Sequence, residues 1–141
     1  MKNANDDKWT LIESRHEGKP ILIRARRFVD GVDRASYPVR LNIFWQMLSP
    51  DENGLASTDD TPALEAFEER LVQAVDVDAQ SVLSVILTGH GRREYVFHTA
   101  DPNEFLRRLM DMPQEEDPYP IEIHRTDDPD WEYDQAVTAT G

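Results

Sequence analysis

The chain of 141 residues contains no cysteine, which excludes a disulfide framework, thiolate metal ligands and a cysteine nucleophile together. Long apolar runs are missing too. Nothing approaches the roughly 18 apolar residues of a membrane-spanning helix, and the first ten residues are polar, without the apolar stretch of a secretory signal. These absences lead us to expect a cytoplasmic chain with no membrane partner. Positive charge is scarce, with 15 lysines and arginines against 28 aspartates and glutamates and a net charge of −13. Such a chain repels nucleic acid at long range, because phosphate binding needs cations that displace condensed counterions.

The charge that is present is unevenly placed. From Asp111 to the C-terminus there are ten acidic residues and one arginine, Arg125, whereas Arg15 to Arg40 holds seven Lys or Arg against Glu17, Asp30 and Asp33. Solvated faces and attraction between the two halves account for this pattern. A chain of this length buries about 68–70% of its unfolded surface as one domain. We expect a single α+β domain over residues 9–134, a disordered N-terminus at 1–8 and a frayed tail at 135–141.

Periodicity predicts the elements. Residues 20–28 alternate with Ile21, Ile23 and Ala25 on one side, which predicts a strand, and the leading Pro20 and the arginines mark it as an edge. Residues 37–48 alternate most clearly, with Val39, Leu41, Ile43 and Trp45 inward. A loop rich in Pro, Asp, Asn and Gly follows, and Thr61-Pro62 then suggests a hydroxyl cap for a helix reaching about Val75. Strands are predicted at 81–87 and 93–99, joined by a tight turn at Gly89-His90-Gly91. Asp101-Pro102-Asn103-Glu104 is a capping box for a second helix that buries Phe105, Leu109 and Met112. A proline-rich linker at 113–120 leads to a short strand at 119–125. Asp127-Asp128-Pro129-Asp130 turns the chain, after which Asp130 or Asp128 caps a terminal turn and Trp131 anchors the tail.

Residues 37–125 thus spell β-α-β-β-α-β, the ferredoxin-like pattern, with both helices on one sheet face and an extra N-terminal strand. In that pattern the strand at 37–48 already has two neighbours, so the place of the strand at 20–28 stays open. The face away from the helices would collect Arg24, Arg26, Arg40, Asn42, Phe44, Gln46, Val96, His98, Glu122 and His124. Arginine, histidine and aromatic side chains on an open sheet suit a ligand, an acidic peptide or a single strand of nucleic acid.

Catalytic signatures are wanting. His16, His90, His98 and His124 have no metal-ligand spacing, the acidic run 127–132 lacks the alternation and glycine of a calcium loop, no serine sits in a nucleophile elbow, and Gly89-His90-Gly91 opens a strand rather than a phosphate-binding helix. We expect no cofactor, no metal and no catalytic residue. Binding candidates are Arg40, Phe44, Arg92, Arg93, His98 and His124, with another protein or a second copy of the chain as partner. Two alternatives remain: a small hydrolase acting on a phosphorylated substrate through His90, Arg92, Arg93 and His98 at one end of the sheet, or a single-stranded RNA-binding module.

Trp9, the strand ending in Phe44-Trp45, the Thr-Pro helix start, Gly91-Arg92-Arg93-Glu94-Tyr95-Val96-Phe97 and Asp128-Pro129-Asp130-Trp131-Glu132-Tyr133 together resemble a bacterial family of uncharacterised proteins, domain of unknown function number 695. The likeness covers residues 9 to 134. Some members of that family are fused to a domain like the regulator of ribonuclease E. The resemblance therefore implies a regulatory or binding role and brings no catalytic residue with it.

Overall fold

The computed structural model describes residues 7–76, 78–113 and 118–139. Along the chain lie β1 (Lys8–His16), β2 (Lys19–Arg27), β3 (Val39–Gln46), α1 (Thr61–Val75), β4 (Ser81–Gly89), β5 (Arg92–Thr99), α2 (Pro102–Met110), β6 (Ile121–Asp127) and α3 (Glu132–Thr138). The strands form one six-stranded sheet in the order β1-β2-β4-β5-β3-β6, and each neighbouring pair is antiparallel. The fold is α+β.

The expected four-stranded ferredoxin-like sheet with one added strand is not the sheet observed. The β1–β2 hairpin, closed by Glu17 and Gly18 in the left-handed region, lengthens the sheet at the β4 edge through the pairing of Leu22–Ala25 with Val85–Thr88. Strand β2 never competes for β3, which is occupied on both sides by β5 and β6. A register shift between Leu83 and Val85 marks a bulge at Ser84 in β4, with Leu83 and Ile86 on the helix side and Val82 and Val85 in the smaller clusters.

The alternation of β3 sends Leu41, Ile43 and Trp45 to one face, where Leu64, Phe67 and Leu71 of α1 and Phe105 and Leu109 of α2 complete the main core. Each such side chain contributes about 1.5–3 kcal/mol by leaving water. The expected Thr61 cap is replaced by another arrangement: the carboxylate of Asp60 accepts the backbone N–H groups of Leu48 and Ser49 at 2.9 and 2.8 Å, tying the end of β3 to the start of α1. Thr61 instead donates to the Ser57 carbonyl. At α2 the Asp101 side chain accepts from the N–H of Glu104, as the capping box requires, while Glu104 turns to Arg107 and Arg108.

Two elements were not anticipated. β1 begins at Lys8, and Asp7 pairs with Arg26 at 2.7 Å, so of the stretch 1–8 only residues 1–6 lie outside the described residues. At the other end α3 takes in residues 135–138, and the last two residues lie outside the described set. Residues 114–117 of the expected linker lie outside it as well.

Candidate functional site

The second sheet face carries the residues that sequence alternation assigns to it, but half of it is closed. Asp128 sets up the closure, because its carboxylate accepts the backbone N–H groups of Glu132 and Tyr133 at 2.8 and 3.3 Å and so starts α3. Burial works against the ionised form of Asp128, yet these donors and the Arg40 guanidinium at 2.6 Å hold its carboxyl below the usual carboxylate range. Trp131, at φ 56° in the left-handed region, then turns the chain onto the sheet.

His98 is completely buried beneath it. The Trp131 indole stacks on the imidazole with ring centroids 3.9 Å apart and planes 7° from parallel, and its Nε1 donates to the Tyr37 carbonyl at 3.1 Å. His98 Nε2 lies 2.8 Å from Asp134 Oδ1; since a carboxylate only accepts, Nε2 is the donor of this bond. Tyr133 donates to Glu94 Oε2 at 2.5 Å, and Asn42 donates to the same oxygen at 2.7 Å. Burial first, and then the Glu94 carboxylate, push the Tyr133 hydroxyl well above its ordinary value, so it remains a donor at any physiological pH. Arg40 lies 4.5 Å above the Tyr133 ring and bonds Asn42 and Asp128.

This network makes a checkable prediction. Tyr133→Phe leaves the buried Glu94 with one donor fewer, and we expect a loss of about 1–3 kcal/mol in urea unfolding followed by circular dichroism. An unchanged midpoint would mean that Tyr133 does not hold α3 on the sheet.

Beyond α3 the same face stays open along a margin made by β3, the start of β5 and β6. The Phe44 ring lies 4.5 Å beneath the Arg92 guanidinium and 5.3 Å from the His124 imidazole, edge to face. A groove of about 310 Å³ runs beside it, lined by Phe44, Gln46, Arg92, Tyr119, Pro120, Ile121 and Glu122. His124 reaches Glu122 at 3.2 Å. Arg92 has no carboxylate partner among the described residues.

Of the six expected binding residues, then, the structure brings Phe44, Arg92 and His124 together and separates the rest. Arg40 is drawn under α3. His98 is not on an open face at all. Arg93, next to Arg92 in an extended strand, must point to the opposite face, where it bonds Thr88 and meets Glu68 of α1 at 3.3 Å. Arg24 and Arg26, expected on the open face, are on the helix side, bonded to Glu68 and Asp76. The four residues expected to converge for hydrolysis do not converge: Arg92 and Arg93 diverge, His98 is sealed, and His90 lies at the β4–β5 turn, sharing a hydrogen bond of 2.9 Å with His16.

Tyr119 and Pro120 were missed as groove residues, because they were read only as linker and strand start. Among the described residues no three His, Cys, Asp or Glu side chains are grouped to hold a metal ion, and no helix is long and apolar enough to cross a membrane.

A family model described as a family of unknown function, DUF695, matches residues 7–135. The chain belongs to the DUF695 family. The match takes in all of β1 at one end and, at the other, Trp131 and the first four residues of α3, with Tyr133 and Asp134 among them. No curated protein and no solved structure matches the chain.

Proposed function

We propose that this DUF695 chain is a cytoplasmic protein-binding module with a regulatory role, and that its contact surface is the margin around Phe44, Arg92 and His124. The observation that carries the reading is an aromatic ring flanked by two basic side chains beside an open groove, with the guanidinium unclaimed by any described carboxylate. An apolar side chain of a partner packs on Phe44 while a carboxylate of the partner meets Arg92 or His124. Aromatic and arginine side chains dominate such contacts, because they bring much apolar area with few rotamers to fix. The acidity of the chain disfavours RNA at the same surface.

The test places the photocrosslinking residue p-benzoylphenylalanine at Gln46, inside the groove, and at Val29 as an exposed control. We expect adducts from the Gln46 position that disappear when Arg92→Glu is added, with thermal unfolding unchanged. Equal adducts from both positions, or adducts indifferent to Arg92→Glu, would overturn the assignment of this surface.

A further inference from the structure

The margin ends at β6, an edge strand that pairs only with β3. Its hydrogen-bond phase can be read from the two ends of that ladder. Gln46 donates to the Pro120 carbonyl and Asp128 donates to the Pro38 carbonyl, so the even-numbered residues of β6 face β3. The backbone groups of Ile123, Arg125 and Asp127 therefore point away from the sheet. Ile123 leaves 37% of its surface exposed, and Glu122 and His124 flank it on the Phe44 face.

We propose that two copies of this chain pair through β6, antiparallel and centred on Ile123, so that one sheet continues across the dimer. The proposal rests on the reading of the β3–β6 margin as the binding surface and names its occupant. A two-fold axis pairs residue i with residue j and j with i, and alternating ladder bonds then require the axis to pass through a residue facing itself. Centring on Arg125 sets arginine against arginine, on Glu122 glutamate against glutamate, and on His124 histidine against histidine. Centring on Ile123 sets an exposed apolar side chain against its own copy. It also places Glu122 opposite the partner's His124 and His124 opposite the partner's Glu122. In this register the Glu122 carboxylate can accept a hydrogen bond from the facing His124 imidazole, whereas like charges directly across a strand pair destabilise it, so this register is the self-complementary one. The free N–H and C=O groups supply the ladder, as in strand addition generally.

Sedimentation equilibrium on the full chain is the test. We expect a dimer that Ile123→Pro converts to monomer, with an unchanged far-UV spectrum, because the lost N–H faces away from β3 and proline is tolerated on that side of an edge strand. If Ile123→Pro fails to fold, Arg125→Pro does the same work, since its N–H also faces outward. Glu122→Lys or His124→Glu alone should weaken the dimer by about tenfold, each change acting at two symmetric pairs, and the double variant should restore it. A wild-type chain that stays monomeric at high micromolar concentration, or a dimer indifferent to the folded proline variant, overturns the proposal. If the chain is monomeric while Gln46 still crosslinks to another protein, self-pairing fails and the margin reading stands; if it is monomeric with no such adducts, both fail.

Discussion

Trp131→Ala should cost about 3–5 kcal/mol of folding stability, a large share of the roughly 5–15 kcal/mol that holds a domain together. The side chain is 2% exposed, stacks on His98, bonds the Tyr37 carbonyl and packs at 6.0 Å from the Phe28 ring. Alanine would forfeit all of these contacts and keep the left-handed backbone at φ 56°, which costs an L-residue roughly 1–2 kcal/mol. With the anchor gone, the seven residues of α3 are too few to remain helical alone, so His98, Val96 and Glu94 would meet water together. Chemical denaturation should show the loss, and near-ultraviolet circular dichroism should show the stacked indole disappear. A loss below about 1 kcal/mol, the ordinary size of a point substitution, would mean that α3 does not depend on Trp131.

The second large effect lies under the opposite face. Asp76, just past the end of α1, accepts from Arg26 Nη1 at 2.9 Å and from the N–H of Leu83 at 2.6 Å, and the Arg26 side chain is wholly buried. Asp76→Ala removes one partner of a buried ion pair and leaves a backbone donor of β4 unbonded, and breaking such a pair costs about 3–5 kcal/mol. Asp7 still holds Arg26 Nε at 2.7 Å, which limits but does not cancel the loss. Asp76→Asn keeps an acceptor for Leu83 and should cost less. An apolar pair, Arg26→Met with Asp76→Leu, should recover much of what Asp76→Ala alone loses, because the desolvation of two charges disappears along with their attraction. A double-mutant cycle in urea measures the coupling. Additive losses would show that the two side chains do not act as a pair.

These two sites also show what could be read in the residues beforehand. The alternation of β3, the Gly89-His90-Gly91 turn and the stripes of α1 and α2 were legible because each repeats a period several times over one buried face. β1 was not: Trp9, Leu11 and Ile12 do not alternate cleanly, and an edge strand with mostly exposed side chains leaves little pattern. α3 spans two turns, too short for periodicity, and its entry uses a tryptophan where a left-handed residue would ordinarily be glycine or asparagine. A cap at Asp130 or Asp128 and an anchor at Trp131 could nevertheless be named from the Asp-Pro-acid-Trp sequence alone, and the N–H groups of Glu132 and Tyr133 select Asp128.

The site divided along the same line. Strand parity placed Phe44, His98 and His124 on one face correctly, and it could have separated Arg92 from Arg93 at once. Parity cannot say whether a face is covered. That depends on where the tail returns, which hangs on pairings between Asp134 and His98 and between Tyr133 and Glu94, each 36 or more residues apart in the chain. Arg26 went to the wrong face in the reading because arginine in a strand suggests solvent, whereas Asp76 and Asp7 give it a buried place.

The central claim is that α3 closes one half of the second sheet face and leaves the Phe44–Arg92–His124 margin open. Carbethoxylation of histidines by diethyl pyrocarbonate, followed residue by residue with peptide mass spectrometry on the native chain, tests both halves together. We predict rapid modification of His124 and protection of His98 until the chain unfolds. Modification of His98 at the rate of His124 would contradict the account.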